Sequence, residues 1–461
     1  MANLTGLLNT ARDALSAQSY GLSLTGQNIA NASTPMYSRR EVVLQTRMGG
    51  NAGVEVQGTR QIIDRYADTR LLAANGLDNA ASERNALLGT VEAVFNDFSG
   101  SGLSDSLSAL YGSFETLSAR PNDPIVRSHV LSSAEDFSAS VREIGGRLAG
   151  IRSNLLTQAQ DVTEQVNGIA KELASLNQQI VLVDGTQGDA SSLIDKRSQQ
   201  LVSLSELIDV RPVYASDGTL MVQASGTTLV EGTNARTLGI ELGTDGSMRL
   251  IARDRPGGAT SDITAHLSGG QLAALREVRD DDVASIQASF DNLVFDVGSS
   301  VNASHIAGFG LDGGTGRLLF ALPATAENAA LSLQVSSDVL GRPERIAASA
   351  DTATLPSGAE NARAMAELAT RPLTASSTRT PEETYAEFIG DVGLRKATAS
   401  HDVVFRQAIR EQAESFRSSV SGVSLDEEMI ALTRYQTAYQ AASKLLSTVN
   451  QLLNELIQKV G

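Results

Sequence analysis

The fold is decided by the C-terminal stretch of residues 425–460, which reads LDEEMIALTRYQTAYQAASKLLSTVNQLLNELIQKV. Its apolar and aromatic residues recur at steps of three or four, the spacing of the buried seam of a long coiled-coil helix. Ser424 and Glu427 form a capping box that marks the start of the helix. At about 1.5 Å per residue the helix is about 54 Å long, so it needs a partner along its length. The seam consists of Leu425, Met429, Leu432, Tyr435, Tyr439, Ala442, Leu446, Val449, Leu453, Leu456 and Val460.

The N-terminus repeats this pattern and offers such a partner. The same steps of three or four residues run from Leu4 to Ile29, and Thr34-Pro35 stops the helix. Taken singly, each stripe is more simply the buried face of an ordinary core helix. Two stripes at opposite ends of one chain favour a pair of long terminal helices. The N-terminal stripe consists of Leu4, Leu8, Ala11, Leu15, Gln18, Leu22, Thr25 and Ile29.

Length and composition indicate a globular protein of several domains. A chain of 461 residues is too long for one hydrophobic core, so two or three domains are expected. Aromatic residues make up only 4% of the chain and tryptophan is absent, which suits helix seams better than aromatic-lined pockets. The formal net charge of -16 argues against nucleic acid or an anionic membrane as a partner, because both require a basic surface.

Cysteine is absent, which excludes disulfides, thiolate metal sites and cysteine nucleophiles. The first residues lack the basic and apolar regions of a cleaved signal peptide, and no stretch of sequence is apolar for long enough to span a bilayer. We therefore expect a cytosolic location, unless a machine that needs no cleaved signal exports the chain.

Between its ends the sequence predicts a bundle of long antiparallel helices. Helical spacing of apolar residues runs from Ile62 to Ile180 and is broken at Pro121-Asn122-Asp123-Pro124. Further helices are predicted at residues 193–207, 271–301, 362–368 and 385–420.

Three regions show strand and turn signals instead. Residues 208–267 combine short apolar runs with Asp217-Gly218 and Asp245-Gly246, which predicts a small β domain inserted between helical halves. Residues 42–56 read as a short hairpin that turns at Gly49-Gly50-Asn51. A further strand pair is predicted at Leu318-Leu319-Phe320 and Leu331-Ser332-Leu333.

No residue pattern supports catalysis. Residues 308–313 match a dinucleotide fingerprint letter for letter, but a helical run precedes them where the fingerprint needs a strand, so we interpret them as a tight structural turn. The four histidines show no metal-ligand spacing. Asp280-Asp281-Asp282 is most simply a solvated helix face, with a cation site as the alternative. We therefore expect no enzyme, no cofactor and no metal.

The C-terminal helix carries few charges for a helix that faces water. Between Met429 and Asn454 only Arg434 and Lys444 are charged, and Gln, Thr, Ser and Asn side chains cover the face away from the seam. A helix that packs among copies of itself needs less charge than one that faces solvent. We expect the free chain to have loose ends that become ordered as copies assemble.

Four motifs resemble those of one protein family. Residues 26–35 (GQNIANASTP), followed by Tyr37-Ser38-Arg39, are similar to the N-terminal signature of the axial proteins of the bacterial flagellum, which are the rod, hook and hook-associated proteins. Residues 435–442 (YQTAYQAA), 193–197 (LIDKR) and 301–308 (VNASHIAG) resemble the hook-associated members in particular. The resemblance touches both ends and the middle of the chain.

One residue departs from the family signature. The family has glycine after Thr-Pro, whereas this chain has Met36, which is sterically strained if the turn needs a positive φ angle. We therefore expect the turn to use another geometry here.

The resemblance implies a structural role at the junction between the flagellar hook and filament. It implies a ring of copies of this chain that contacts the hook protein and hook-associated protein 3, and an export chaperone that binds the C-terminal helix. It also implies synthesis in the cytoplasm, export of the unfolded chain through the flagellar type III pathway, and an extracellular, secreted location. Neither nucleic acid nor membrane insertion is expected.

The expected fold is mainly α with a β insertion, an α+β chain of several domains. Residues 1–61 with 423–461 are expected to form a terminal coiled-coil domain, residues 62–207 with 269–422 a helical rod domain with some strand at 311–340, and residues 208–268 a β-rich outer domain. By the resemblance, the terminal helices line a channel. The candidate assembly residues are Leu4, Leu8, Leu15, Leu22, Asn28, Ile29, Asn31, Leu432, Tyr435, Tyr439, Leu446, Val449, Leu453 and Leu456.

Two other functions stay open. A flagellar hook or rod subunit shares the N-terminal motif but resembles this chain less in its central helices. A secreted adhesin-like binding module, carried by the β insertion, is the alternative from a different class.

Overall fold

The computed structural model describes residues 2–46, 53–95, 102–186, 188–215, 218–254, 258–374 and 378–460. Helices dominate this part of the chain, and small antiparallel sheets lie among them, so the expectation of a mainly α fold with a β insertion is confirmed. The turn predicted at Gly49-Gly50-Asn51 and the Asp217 half of the Asp217-Gly218 turn lie outside the described residues.

The helices follow the predicted pattern, and most of their ends fall close to the predicted stops. They are α1 (Ala2–Ala30), α2 (Arg65–Glu92), α3 (Leu103–Ala119), α4 (Pro124–Gly185), α5 (Ser191–Leu207), α6 (Gly270–Glu277), α7 (Val283–Ala307), α8 (Ala329–Ser332), α9 (Glu360–Glu367), α10 (Pro381–Ser421) and α11 (Leu425–Val460). A wider helical turn at Val278–Asp282 joins α6 to α7.

The strands of the described residues form four antiparallel sheets. The first sheet pairs β1 (Arg40–Thr46) with β2 (Val54–Gln61). The second contains β3 (Val210–Tyr214), β4 (Leu220–Ala224), β5 (Thr227–Glu231) and β6 (Asn234–Ala235), and the third contains β7 (Thr237–Leu242), β8 (Met248–Arg253) and β9 (Thr260–Asp262). The fourth pairs β10 (Phe320–Ala321) with β11 (Gln334–Val335).

Helix α4 is the longest element. Its 62 residues extend about 93 Å at the rise of an α-helix. Asp123 caps its start by accepting a 2.9 Å hydrogen bond from the backbone N–H of Ile125, so the predicted break at residues 121–124 is confirmed. The buried positions Val141, Leu148, Leu155 and Val162 recur every seven residues and face the rest of the helical bundle.

Two asparagines of α4 hold the β insertion. The side chain of Asn177 donates to the carbonyl oxygens of Leu220 (2.7 Å) and Gly232 (2.8 Å), and Asn167 donates to the carbonyl of Leu238 at 2.9 Å and accepts from its N–H at 2.7 Å. These bonds satisfy backbone groups where the two sheets meet the helix. The buried strand residues belong to the same hydrophobic cluster as the helices.

Two predictions for the middle of the chain were wrong. Residues 331–333 were expected to be a strand, but α8 ends at Ser332 and the strand partner of Phe320–Ala321 is Gln334–Val335. The cause is Asp291, whose carboxylate accepts hydrogen bonds from the N–H groups of Asn328 (3.2 Å) and Ala330 (2.8 Å) and so starts a helical turn.

The solvated face expected at Asp280-Asp281-Asp282 is the second wrong prediction, except at Asp281, whose side chain is 57% exposed. Asp282 is buried and binds Arg84 through two hydrogen bonds of 3.0 and 3.2 Å, and it also binds Arg395 at 3.3 Å. Asp280 accepts a 2.7 Å bond from the N–H of Met248. The wider turn at 278–282 rotates both carboxylates towards the protein.

The residues that imitate a dinucleotide fingerprint follow α7 and form a turn. Gly313 donates to the carbonyl of Gly310 at 3.0 Å, and a Cβ on Gly308 would lie 2.2 Å from the amide nitrogen of Asn361. Close packing therefore explains the glycine at position 308.

Candidate functional site

Helices α1 and α11 pack side by side in opposite directions. Near the end of α1, Asn28 bonds to Glu428, and seven residues earlier Gly21 faces Tyr435, which lies seven residues after Glu428. The register is therefore constant over this stretch. Helix α1 ends, and α11 begins, at one end of the pair, which we call the base, and the opposite end is the tip. The other side of α1 is covered by β1 and β2.

The candidate assembly residues fall mostly on the contact between these two helices. Asn28 and Val449 are buried, and Tyr439 is 41% exposed. The remaining candidates are half-buried, namely Leu4, Leu8, Leu15, Leu22, Ile29, Asn31, Leu432, Tyr435, Leu446, Leu453 and Leu456. Their role in assembly stays a prediction.

The seam on α11 differs from the predicted one at its margin. Its central row is Glu428, Tyr435, Ala442, Val449 and Leu456, so a glutamate takes the place predicted for Met429. Three residues predicted for the seam, Leu425, Met429 and Tyr439, are exposed instead. The contact is narrow because α1 also covers the β1–β2 hairpin.

The face of α11 that points away from α1 is open. Its first turns are mainly apolar, and the polar residues Gln440, Lys444, Thr448 and Gln451 follow along it. A shallow groove in these first turns is lined by Met429, Ile430, Thr433, Arg434, Thr437, Ala438 and Ala441, so it is mainly apolar with one charged side chain at its edge. Ile430 is 71% exposed, an unusual position for a large aliphatic side chain. Within the described residues, α11 is thus covered on one side only.

A glycine allows the two helices to approach closely. A Cβ on Gly21 would lie 2.6 Å from the ring of Tyr435, which is closer than real contacts allow. The tyrosine ring therefore lies directly against the α1 backbone. Only glycine permits this approach, because it has no side chain.

Asn28 is the centre of a polar cluster at the base of the helix pair. Its side-chain amide donates to Glu428 at 3.1 Å and to the carbonyl of Arg40 at 2.9 Å. Its side-chain oxygen accepts from the hydroxyl of Tyr37 at 2.9 Å and from the N–H of Arg40 at 3.2 Å. All four hydrogen-bonding positions of the amide are used, so Asn28 fixes α1, the following turn and α11 together.

Glu428 receives a second partner from the same turn. Its side chain is 2% exposed, and its other oxygen accepts a 2.7 Å hydrogen bond from Nε of Arg39. This bond raises the pKa of Arg39, so its guanidinium stays charged. Glu427 lies 3.4 Å from the same guanidinium but is exposed to solvent. A buried carboxylate with these partners holds α11 against the chain that leaves α1.

Two further ion pairs tie this turn to the helical rods. Arg417 on α10 donates to Asp68 on α2 at 2.8 Å and to the carbonyl of Met36 at 3.0 Å. Arg40 pairs with Asp195 on α5, in the LIDKR motif. We call the cluster of Asn28, Tyr37, Arg39, Arg40, Asp68, Asp195, Arg417 and Glu428 the polar junction. Sequence reasoning missed the roles of Asp68, Asp195, Arg417 and Glu428, and the two arginines next to the N-terminal signature were the signal that carboxylate partners exist.

The expectation that Met36 avoids a positive φ angle was wrong. Its φ is 63°, in the left-handed region. The side chain is buried against Leu71, Ala74 and Ala413. Burial of a methionine contributes about 1.5–3 kcal/mol, against about 1–2 kcal/mol for the strained backbone, so packing outweighs the strain.

A family model described as "Flagellar hook-associated protein FlgK helical domain" matches residues 88–320, which is 233 of the 461 residues. The chain belongs to this flagellar hook-associated protein family. A second model, described as "Flagellar basal body rod FlgEFG protein C-terminal", matches residues 417–459 and covers α11 together with Arg417 of the polar junction.

Full-length relatives agree with membership of the FlgK family. The chain is 26% identical to flagellar hook-associated protein 1 of Bacillus subtilis (98% of both chains aligned), and 23% identical to flagellar hook-associated protein 1 of Salmonella typhimurium (98% of this chain and 100% of the relative). The structure of the flagellar hook junction protein FlgK from Burkholderia pseudomallei is similar with a TM-score of 0.68 at 15% identity, over 77% of this chain and 100% of that one.

Membership of the FlgK family makes this chain a structural component of the bacterial flagellum. The prediction that it is not an enzyme is confirmed, because the family is a structural one. In the described part of the chain, no helix combines the length and apolar character needed to cross a bilayer, and no cluster of three or more His, Asp or Glu side chains is placed to hold a metal ion.

Proposed function

We propose that this chain forms a ring at the junction between hook and filament, and that α1 and α11 pack against the same helices of neighbouring copies. The observation that carries the proposal is the open apolar groove of α11, at Met429, Ile430 and Thr437, on a helix whose other face is already occupied by α1. A ring of identical copies offers each groove a helix of the next copy.

The proposal assigns different places to the three parts of the chain. The coiled-coil-like terminal pair, residues 1–61 with 423–461, forms the inner layer, and the rods of residues 62–207 with 269–422 surround it. The β-rich part, residues 208–268, faces outward. The polar junction supports this division, since it lies where the terminal pair meets α2, α5 and α10.

The proposed partners follow from the position in the flagellum. The hook protein lies on one side of the ring and hook-associated protein 3 on the other. Before assembly, an export chaperone in the cytoplasm covers the apolar face of α11, and the chain then leaves the cell unfolded through the type III pathway. The exposed side chains of Ile430 and Met429 give the chaperone an apolar surface to cover.

The test removes the groove in the parent bacterium. Deletion of residues 425–461 and the single substitution Ile430→Glu are both expected to give cells with hooks that shed unpolymerised flagellin into the medium. Gln436→Glu adds the same charge to an exposed position on the flank of α11 and is expected to leave filaments intact. Normal filaments on cells that carry the deletion would refute the proposed function.

A further inference from the structure

Helix α10 has an outward face that is largely uncovered in the described structure, although Arg70 of α2 reaches Gln412 and the ring of Phe416 near its C-terminal end. Its inward face packs on α2 and α7, with Tyr385, Phe388, Val392 and Ala413 buried. On the opposite side, Leu394, Val404 and Phe405 are 65%, 68% and 59% exposed. These large apolar residues lie outside the terminal helices and have no part in the function proposed above.

The outward face is uncharged along most of the helix. We call it the outer row, and all its members are exposed and lie on one side of the helix. Within α10, whose residues are all described, the outer row contains no Asp, Glu, Lys or Arg. It consists of Leu394, Ala397, Thr398, His401, Val404, Phe405, Ala408, Gln412, Ser415, Phe416 and Ser419.

Charged side chains of α10 lie on the flanks of the outer row, and six of them form three ion pairs, while Glu411 is exposed and bonds to Gln407. Asp391 pairs with Arg395, Asp402 with Arg406, and Glu414 with Arg410, each at a spacing of four residues. In a chain with 20% charged residues, a water-facing helix is expected to carry charge on its outermost row. On α10 the outermost row is uncharged and the charges lie beside it. This arrangement is typical of a surface that becomes covered.

We propose that the outer row of α10 docks against a second copy of this chain, as a lateral contact between rods that is separate from the terminal helices. The net charge of -16 favours this occupant, because two copies repel each other wherever charged surfaces meet. An uncharged row is where identical acidic chains can touch without that cost. A basic partner would instead call for exposed carboxylates along the row.

The outer row is too small to form a stable interface alone, so a second contact between the two copies is needed. From Leu394 to Ser419 the row is about 38 Å long and about 10 Å wide, so it offers about 400 Å². A stable pair of proteins buries about 800 Å² on each partner. The outer row therefore supplies about half of the area of a stable interface. The groove of α11 supplies further area under the proposed function, on which this inference rests.

A photoreactive residue identifies what covers the outer row. Benzoylphenylalanine replaces Phe405 in the parent bacterium, flagella are isolated and irradiated, and the covalent products are identified by mass spectrometry. We expect a product of twice 48.4 kDa that contains only this chain. An adduct to a different protein, or no adduct while the chain is present in the flagella, overturns the inference and leaves the proposed function standing. Absence of the chain from isolated flagella refutes both.

Charge substitutions give an independent readout. Phe405→Glu is expected to lower the number of filaments per cell at least tenfold, whereas Ser400→Glu adds the same charge at an exposed position about 140° around the helix and is expected to leave the number unchanged. Both purified variants are expected to melt at the temperature of the parent chain, since both positions are exposed. Equal filament numbers for the two variants overturn the inference.

Discussion

Met36 shows how a local rule yields to packing. A methionine at φ 63° is strained, and sequence reasoning therefore assigned the turn another geometry. That reasoning could not include Leu71, Ala74 and Ala413, which lie far from Met36 in the chain and bury its side chain. Whether a residue fits a turn depends on the residues that contact it in space, and the sequence does not show these contacts.

Two substitutions at Met36 separate backbone strain from burial. Met36→Ala keeps the strain and loses the packing, so the free energy of unfolding should fall by about 2 kcal/mol. Met36→Gly loses the same packing but relieves the strain, so it should fall by only about 1 kcal/mol. Urea unfolding of the purified variants measures both values. Equal values for Gly and Ala would show that the turn stores no strain.

Glu428 and Glu427 provide a matched pair of neighbouring carboxylates beside one guanidinium. Removal of the buried one by Glu428→Ala leaves Arg39 and the Asn28 amide without their acceptor and should destabilise the terminal helix pair by about 2 kcal/mol. Glu427→Ala removes an exposed partner and should cost less than about 0.5 kcal/mol. Hydrogen exchange of the amides of α1 and α11 measures both changes. Equal protection in the two variants would contradict the assigned role of Glu428.

The polar junction was only partly predictable. Asn28 was found from the family signature, but Glu428 stands 400 residues away, in a stripe where the periodic pattern asks for an apolar residue. Periodicity ranks residues by hydrophobicity, so it selected Met429 and passed over its charged neighbour. The sequence shows the arginines beside the signature, but it does not show which distant carboxylates they bind.

Long helices were the most predictable part of the chain. The stops at Thr34-Pro35 and Pro121–Pro124 fell close to the observed helix ends, because proline acts locally. The strand expected at 331–333 failed for the opposite reason. A short apolar run fits a strand or a helical turn equally well, and Asp291 decides between them from another helix.

Gly21 and Gly26 allow a controlled test of the α1–α11 contact. Alanine raises the helix propensity of α1 by about 1 kcal/mol at either position. A Cβ at Gly26 meets nothing, so Gly26→Ala should stabilise the chain, whereas a Cβ at Gly21 collides with the ring of Tyr435 and should part the two helices. Thermal unfolding followed by circular dichroism at 222 nm compares the variants. A Gly21→Ala chain as stable as Gly26→Ala would show that Tyr435 moves aside freely.

The terminal pair is held differently from the rest of the molecule. Among the described residues, the two hydrophobic clusters contain no member of α1 or α11, while the buried residues of the β insertion share the large cluster with α4. The predicted division gave the β insertion and the terminal pair each a domain of its own. Packing distinguishes them, because it continues from the helices into the β insertion but does not reach the terminal pair.

Limited proteolysis of the purified monomer should reveal this difference. Both ends of the chain should be trimmed before any cut appears within α4, because the described residues of the terminal helices have no member in the main core, to which α4 contributes many. Time-resolved mass spectrometry of the fragments gives the order of cleavage. Equal resistance along the whole chain would mean that the terminal helices are as firmly held in the monomer as the rods are.

The polar junction anchors the antiparallel pair of α1 and α11 at its base. Helix α1 is 29 residues long, so its tip lies about 43 Å from its base. A rotation of 10° about the polar junction would move the tip by about 7 Å. This is close to the distance of 8–10 Å between the axes of two packed helices. In the ring proposed above, the stiffness of the polar junction would therefore decide whether the tips of adjacent copies can pack together.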